Sequence, residues 1–417
     1  MTGRCLRLVL PFLIWLLHIV PAMADTLAVV TSYPATFTEP FKQAFEARNP
    51  DIRLSFVHRN TASAIRFVLE RKQAEADLFW ASSPDAFERL KAQGALRPVP
   101  GMASDIRAPG GYPIDDPDDH FFGFSLARYG IVYDPIALQQ AGLTLPIRWT
   151  DLLDPGYAGQ IGMATPVRSG TTHLMIEMML QQYGWERGWA ILCRLGGNLS
   201  TVTARSFGVA SGVAQRRFGI GLSIDFLADL PRNSVSAPNF RALEPQLVVP
   251  ASIGIVSRSA NPGEAHRFIE FVLSLDGQRL LTSSAIARTP VHPALNDAIG
   301  RGNADPVFDA ALSARRYEVV NLLFDEQVVR RRRALARIWR TLDKMETGPQ
   351  ADAVRALVEA PAISQEEALA LAESHEAWQP AISRTLGQAA TVDAMRRRLD
   401  GSLGEAERLL QIRPSRP

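Results

Sequence analysis

Pro166 to His173, PVRSGTTH, sets one guanidinium, one glycine and three hydroxyls directly ahead of an almost wholly apolar run, Leu174 to Leu180. The first turn of a helix leaves backbone N–H groups unpaired and carries the positive end of the helix dipole. Residues of these types at this place therefore suit an anion. The same residues also serve plain N-capping by Ser169 or Thr171. Polar loops of the same kind recur: Thr31-Ser32-Tyr33, Asn60-Thr61 and Ser82-Ser83 each follow a short apolar segment, and Arg205-Ser206 follow LSTVT. Capping and anion binding use one N–H-rich geometry, so the two readings do not exclude each other.

Other groupings carry less chemistry. Ser169, His173 and Asp225 hold the residue types of a hydrolytic triad, but no G-x-S-x-G turn frames Ser169, and a Ser-to-His step of four is ordinary helix spacing. No catalytic residue is assigned. Asp115 to His120, DDPDDH, lacks the glycine and distal glutamate of an EF-hand and reads as a solvated loop. Cys193, in WAILCRL, reads as a buried small apolar residue. Arg330 to Arg333 form a four-arginine run that reads first as a solvated helix face and second as a patch for a partner or anionic surface.

The elements that must position the polar loops alternate strand and helix. TLAVV is strand-like, and Phe37, Phe41 and Phe45 share one helical face before Asn49-Pro50. IRLSFV, SAIRFVLERKQ and ADLFWA continue the alternation. SSPDAFERLKAQG then gives a helix with Ser83 as N-cap, Pro84 at its first position and Gly94 just past its end. Three strand-helix units in succession imply a parallel sheet. Ligands bind at the carboxyl edge of such a sheet, which brings the polar loops to one site.

A second unit begins after FFGFSLARYGIVYDP, whose apolar halves meet around Arg128-Tyr129-Gly130. In it QIGMATP, LSTVTARSFGV and FGIGLSIDF repeat the pattern of strand and polar loop. Two extended crossings, near 122–133 and 247–257, would set the loops of both units face to face across a cleft. From about Asn321 the character turns helical, with a capping box of Ser364 and Glu367 in one segment and a further helical run through TVDAMRRRLDGSLGEAERLL.

The N-terminus has the form of a secretory signal: Arg4 and Arg7, the apolar Leu8 to Val20, and the small-x-small Ala22-Met23-Ala24. No other stretch approaches the ~20 apolar residues of a membrane helix. Cleavage near Asp25 would remove Cys5 and leave Cys193 as the single thiol, and would bring the formal charge from +2 to about zero. That balance argues against nucleic acid as a partner.

VRSGTTHL, VTARSFGVASGVAQRRFGIGLSIDF, VVPASIGIV and FIEFVLSLDGQRLL with ARTPVHP, together with TSYP and DLFWASSPDAFERL, cover most of residues 27 to 295. In this order they resemble periplasmic solute-binding proteins of the ferric-iron-binding-like branch of the type 2 fold. The resemblance is closest to the phosphoglycerate-transport regulatory and organophosphate-binding members. It implies an α/β fold of two lobes, each a mostly parallel sheet flanked by helices, with an α-helical C-terminal extension. The expected division is a signal at 1–24, lobe 1 at 25–125 and 251–320, lobe 2 at 126–250, and the extension at 321–417.

Ferric-binding members use an adjacent tyrosine pair, since a hard trivalent ion favours phenolate. Here Tyr33, Tyr112, Tyr129, Tyr133, Tyr157, Tyr183 and Tyr317 are never adjacent, and Ser223-Ile224-Asp225-Phe226 stand where the pair would fall. Iron is disfavoured, and the organophosphate-binding members surround a phosphate with hydroxyls, N–H groups and cations. The expected site therefore has Arg168 paired with phosphate or carboxylate, and Ser169, Gly170, Thr171 and Thr172 giving hydroxyls and close backbone approach. Ser32, Thr61, Ser82 and Ser83 close from the other lobe. Arg205 and Ser206 join from the next loop, and Asp225 accepts from ligand hydroxyls. His173 is either a ligand donor or a satisfied first-turn histidine, and Arg128, on the presumed hinge, is a candidate partner for an acidic side chain. The implied role is that of a monomeric periplasmic receptor for a small anionic solute, with neither cofactor nor metal. Its macromolecular partner would be an ABC-type membrane permease or the periplasmic domain of a sensor kinase.

Overall fold

The computed structural model describes residues 25–70, 75–228, 238–283, 286–298, 308–374 and 386–411. The signal-like segment 1–24 lies outside the described residues. Lobe 1 begins with β1 (Asp25–Thr31), α1 (Ala35–Arg48), β2 (Ile52–His58), α2 (Thr61–Glu70), β3 (Leu78–Ala81), α3 (Pro84–Ala92) and β4 (Leu96–Arg97). β1 runs parallel to β2, from Asp25 opposite Ile52 to Thr31 opposite His58, and parallel to β3 on its other edge. All four residues of β3 are buried, as befits a strand covered on both faces. The Phe37, Phe41 and Phe45 stripe of α1 is buried, with Phe41 edge-on to Trp80 of β3 at 5.2 Å. Pro84 starts α3 and Gly94, at φ 62°, ends it, because the chain there turns left-handed and only glycine does so without strain.

β5 (Phe122–Tyr133) carries the chain out of lobe 1. Its first half pairs antiparallel with β10 (Val248–Val256), and its second half, from Tyr129, pairs with β8 (Ile220–Ile224). The switch falls at Arg128 and Tyr129, between the two apolar halves. Lobe 2 then adds α4 (Pro135–Gln140), β6 (Ile161–Ala164), α5 (Gly170–Tyr183), α6 (Trp185–Asn198), β7 (Leu199–Thr203), α7 (Ser206–Ala214) and β9 (Asn239–Ala242). β6 is parallel to both β7 and β8. β10 returns the chain to lobe 1, where α8 (Pro262–Leu273), α9 (Leu275–Leu281) and β11 (Thr289–Pro290) follow. The main strand order is β2-β1-β3-β10-β5-β8-β6-β7, so one sheet passes through both lobes by way of the crossing strands.

The C-terminal part consists of α10 (Ala310–Phe324), a π-helical turn (Asp325–Val329), α11 (Arg332–Leu342), α12 (Pro349–Glu359), α13 (Gln365–Glu373) and α14 (Leu386–Leu409). α10 starts ahead of the expected boundary at 320/321 and runs through it, with Asp309 capping its first turn. It packs against α3 of lobe 1 and α5 of lobe 2. α11 lies on α6, where Trp339, Leu335 and Ile338 cluster with the buried thiol of Cys193. Burial pushes that thiol up to about 12, so it is an inert packing group.

Two charge runs differ from expectation. The arginines at 330–333 form a solvated face only in part, for Arg330 and Arg333 are exposed while the other two are drawn inward. Arg331 is buried and donates to Asp400 at 2.7 Å and to the Glu326 carbonyl, Arg332 donates to the Ser200 carbonyl, and Arg330 pairs with Glu326 at 3.2 Å. Asp115 and Asp116 are likewise buried, not solvated. Asp115 accepts from Ser104 N at 2.8 Å and Gly123 N at 3.0 Å, while Asp116 takes Lys91 at 2.6 Å, so the acidic loop fastens its neighbours.

Candidate functional site

The loops at the carboxyl ends of six strands meet across a narrow cleft with about 40 Å³ of free space. Lobe 1 gives Ser32 and Tyr33 after β1, Asn60 and Thr61 after β2, and Ser82 after β3. Lobe 2 gives Arg168, Ser169, Gly170 and Thr171 between β6 and α5, Arg205, Ser206 and Phe207 between β7 and α7, and Ile224, Phe226 and Leu227 at the end of β8. Nine of the expected site residues thus come together: Ser32, Thr61, Ser82, Arg168, Ser169, Gly170, Thr171, Arg205 and Ser206.

Three helices point their N-termini at this cleft. Ser169 is the N-cap of α5, its Oγ accepting from Thr172 N at 3.2 Å and lying 2.7 Å from Ser206 Oγ. The capping reading of Ser169 therefore holds. It leaves the amides of Gly170 and Thr171, which precede the first intrahelical bond, without an acceptor among the described residues. Asn60 caps α2 through Ser63 N at 2.9 Å. α7 begins at Ser206 with Arg205 as an N-cap that makes no side-chain capping bond. Arg168 and Arg205 are exposed, and among the described residues no side chain lining the cleft is a carboxylate. Positive helix ends and two guanidiniums without an acid among them make the cleft attractive to an anion.

The lobes touch in this conformation. A Cβ on Gly170 would stand 2.6 Å from Ser83 Oγ and 3.1 Å from Thr61 Cγ2, both in lobe 1. Tyr33, between them and the crossing strands, has its hydroxyl pushed up to about 12 by burial, offset in part by the charge of Arg288.

Four expected site residues stand outside the cleft lining. Ser83 is fully buried and donates its hydroxyl to Asp85 behind the cleft wall. Thr172 spends its amide and hydroxyl on Ser169 Oγ. His173 is fully buried on the far side of α5, where Nδ1 meets Asn321 Oδ1 at 2.7 Å and Nε2 meets Ser313 Oγ at 3.0 Å and Asp85 Oδ2 at 3.2 Å. It is the satisfied histidine of the two readings. Asp225 is held by the Arg128 side chain at 3.2 Å and by Phe226 N at 2.9 Å, an acid on the hinge paired with the arginine beside it.

Residues that the sequence reasoning did not select also line the cleft. Tyr33 and Asn60 sat inside the polar loops and could have been chosen with their neighbours. Phe207, Ile224, Phe226 and Leu227 carry no mark that separates a cleft wall from a core. Arg288, in the ARTPVHP segment, reaches the cleft aromatics from behind: its guanidinium carbon lies 3.7 Å from the Phe226 ring centroid and 4.6 Å from that of Tyr33.

Two α/β lobes on paired crossing strands, with strand-end loops facing across a cleft, define the type 2 periplasmic binding protein fold. Residues 74–312 match the family model described as bacterial extracellular solute-binding protein, and the chain belongs to that family. The phosphoglycerate transport regulatory protein PgtC of Salmonella typhimurium is 30% identical over 336 residues, 78% of this chain and 82% of that protein. The periplasmic binding protein AfuA from Actinobacillus pleuropneumoniae, with exogenous fructose-6-phosphate bound, superposes with a TM-score of 0.61 at 18% identity, over 72% of this chain and 98% of its own. Iron-bound HitA from Pseudomonas aeruginosa gives a TM-score of 0.60 at 18% identity, over 71% and 98%. The two structures share the fold with fructose-6-phosphate bound in one and iron in the other, so the fold alone does not choose the solute. The family and these relatives are binding proteins, not enzymes.

Proposed function

We propose that the protein captures a small organophosphate in the cleft, phosphoglycerate being the type of solute intended. The observation that carries this reading is the convergence of the α2, α5 and α7 N-termini with Arg168 and Arg205 on a lining that has no carboxylate among the described residues. A phosphate would lie on the Gly170 and Thr171 amides and the Ser169 and Ser206 hydroxyls, with Arg168 as its counter-charge. The name of the Salmonella relative supports the same class. A ferric ion finds little here, since among the described residues the lining has no His, Cys, Asp or Glu, and its one tyrosine is held in the phenol form by burial.

In this reading residues 1–24 direct export and are cleaved, the mature chain works in the periplasm, and lobe 2 spans about 126–250. The loaded form docks a permease of an ABC-type system or presents itself to a sensor's periplasmic domain. Crosslinking with and without solute, followed by identification of the captured membrane protein, separates those roles. The solute itself is tested by calorimetric titration with 3-phosphoglycerate, phosphoenolpyruvate and a hexose phosphate. Arg168→Ala should weaken the binding compound by roughly 1.5–3 kcal/mol, the worth of a charge-assisted hydrogen bond. Because Arg168 is exposed, the unliganded melting temperature should stay unchanged. Unaltered affinity in this variant, or tight binding of ferric ion in its place, would overturn the reading.

A further inference from the structure

Arg288 carries a buried charge that no carboxylate pairs directly among the described residues. The side chain is 4% exposed, so water does little to solvate it. Nη1 donates to Ser125 Oγ at 3.0 Å. Nε and Nη2, which together form the side-on fork of a guanidinium, make no hydrogen bond among the described residues, although the Tyr33 hydroxyl lies near enough to feel the guanidinium. The group is sandwiched by Tyr33 of lobe 1 and Phe226 of lobe 2, both of which line the cleft.

The chain fills such a fork elsewhere. Arg316, 2% exposed, gives Nε and Nη2 to Glu177 at 2.9 and 2.8 Å. Arg396 gives the same two atoms to Glu326 at 2.9 and 2.7 Å. Asp225, whose carboxylate feels the Arg288 charge, turns its oxygens to Arg128 and to the Phe226 amide. An arginine nearly as buried as Arg316, with its carboxylate-shaped edge unbonded among the described residues and its flanking rings on the cleft, suits a carboxylate that comes from solution.

We infer that Arg288 is a second anion-binding residue of the cleft, taking the carboxylate of a small phosphorylated carboxylic acid whose phosphate lies at the helix ends. The inference rests on the phosphate reading above. Arg288 stands just ahead of β11, which pairs with the lobe 1 half of β5, whereas Phe226 follows β8 in lobe 2. Separation of the lobes lifts the Phe226 ring from the guanidinium and opens the fork to solute. Closure then brings the ring back over the guanidinium.

The test compares 3-phosphoglycerate with glycerol 3-phosphate, which keeps the phosphate and carbon chain but replaces the carboxylate by a hydroxymethyl group. Titration of the full chain should show wild type favouring 3-phosphoglycerate by roughly 10- to 100-fold, the range of a charge-assisted bond. Arg288→Gln should remove that preference and leave glycerol 3-phosphate within about threefold of wild type. Arg288→Lys, which keeps the charge without the fork, should fall between. Wild type that binds the two esters equally overturns the role of Arg288 without any variant, so a misfolded Arg288→Gln does not shield it. Equal loss of both esters in a folded Arg288→Gln also overturns it. Wild type that binds neither ester refutes the phosphate reading itself, and this inference with it.

Discussion

Gly170 is the first residue of α5, and replacing it by alanine tests whether binding needs the lobes closed. The added Cβ would meet Ser83 Oγ at 2.6 Å, Ser83 Cβ at 2.9 Å and Thr61 Cγ2 at 3.1 Å. Ser83 cannot turn aside, because it is fully buried with its hydroxyl on Asp85. All three contacts cross from lobe 2 to lobe 1, so they exist only when the lobes touch. Overpacking of this kind costs about 1–3 kcal/mol. The helix-forming advantage of alanine, at most about 1 kcal/mol, applies to open and closed forms alike and cancels from the binding comparison. If the solute is held by the closed form, Gly170→Ala should weaken it by roughly 5- to 150-fold. Small-angle scattering at saturating solute should show less compaction than wild type. Ser83→Gly in the same chain removes the two nearest atoms and should restore part of the affinity, which direct obstruction of the solute by the new methyl would not allow. Wild-type affinity in Gly170→Ala, or a melting temperature lowered to the same extent with and without solute, would refute the reasoning.

Three further outcomes follow from named contacts. Glu177 and Arg316 are both buried and joined at 2.8–3.0 Å, so Arg316→Met should cost about 3–5 kcal/mol in urea unfolding, while Glu177→Leu with Arg316→Met should recover most of it. Strictly additive losses would show that the pair is not coupled. The Ala103 and Gly101 amides donate to Asp119 and hold its carboxyl below the ordinary 3.8, so its contribution is present at neutral pH and is lost as pH falls through the depressed native value. Asp119→Asn should therefore be less stable than wild type at neutral pH, with the gap closing in acid, and a gap independent of pH would contradict the assignment. Ser364→Ala removes one half of the capping box on α13 and should cost about 1 kcal/mol by the same unfolding measurement, with no change in solute affinity.

The parts of the structure that follow from local pattern were legible in the sequence. β5 and β10 announce themselves as long apolar strands, and Pro84, Gly94 and Ser364 bound their helices through backbone chemistry confined to a few residues. The cleft was legible because a parallel sheet sends the carboxyl ends of its strands to one edge, whatever the side chains beyond. What failed was set by partners distant in the chain. His173 follows Ser169 by a single turn, yet α10 packs behind α5 and draws it away from the cleft to Ser313 and Asn321. The arginines at 330–333 look solvated until α14 brings Asp400 to Arg331. Arg288 has no neighbour in sequence that hints at Tyr33 or Phe226, and only the folded crossing strands bring the three together.

α10 shows why the helical extension is more than an appendage. Tyr317 sits in the core of lobe 1 with Phe79 and Phe87, while Val320, Leu323 and Phe324 belong to the core of lobe 2. Arg89 of α3 pairs with Glu318 at 2.5 Å, and Glu177 of α5 pairs with Arg316. A helix anchored by buried side chains in both lobes has to lie near the axis of any rotation between them, since displacement is smallest there and tight packing tolerates little of it. The crossing strands β5 and β10 form the rest of that axis, and the Gly170 contact with Ser83 and Thr61 is free to part. Beyond α10, the π-helical turn places Glu326 where Arg330 and Arg396 converge, and α11 rests on α6. The extension is thus fixed to the axis at one end and to lobe 2 along its length. α11 and α12 rest on α6, so a rotation between the lobes would carry them with lobe 2.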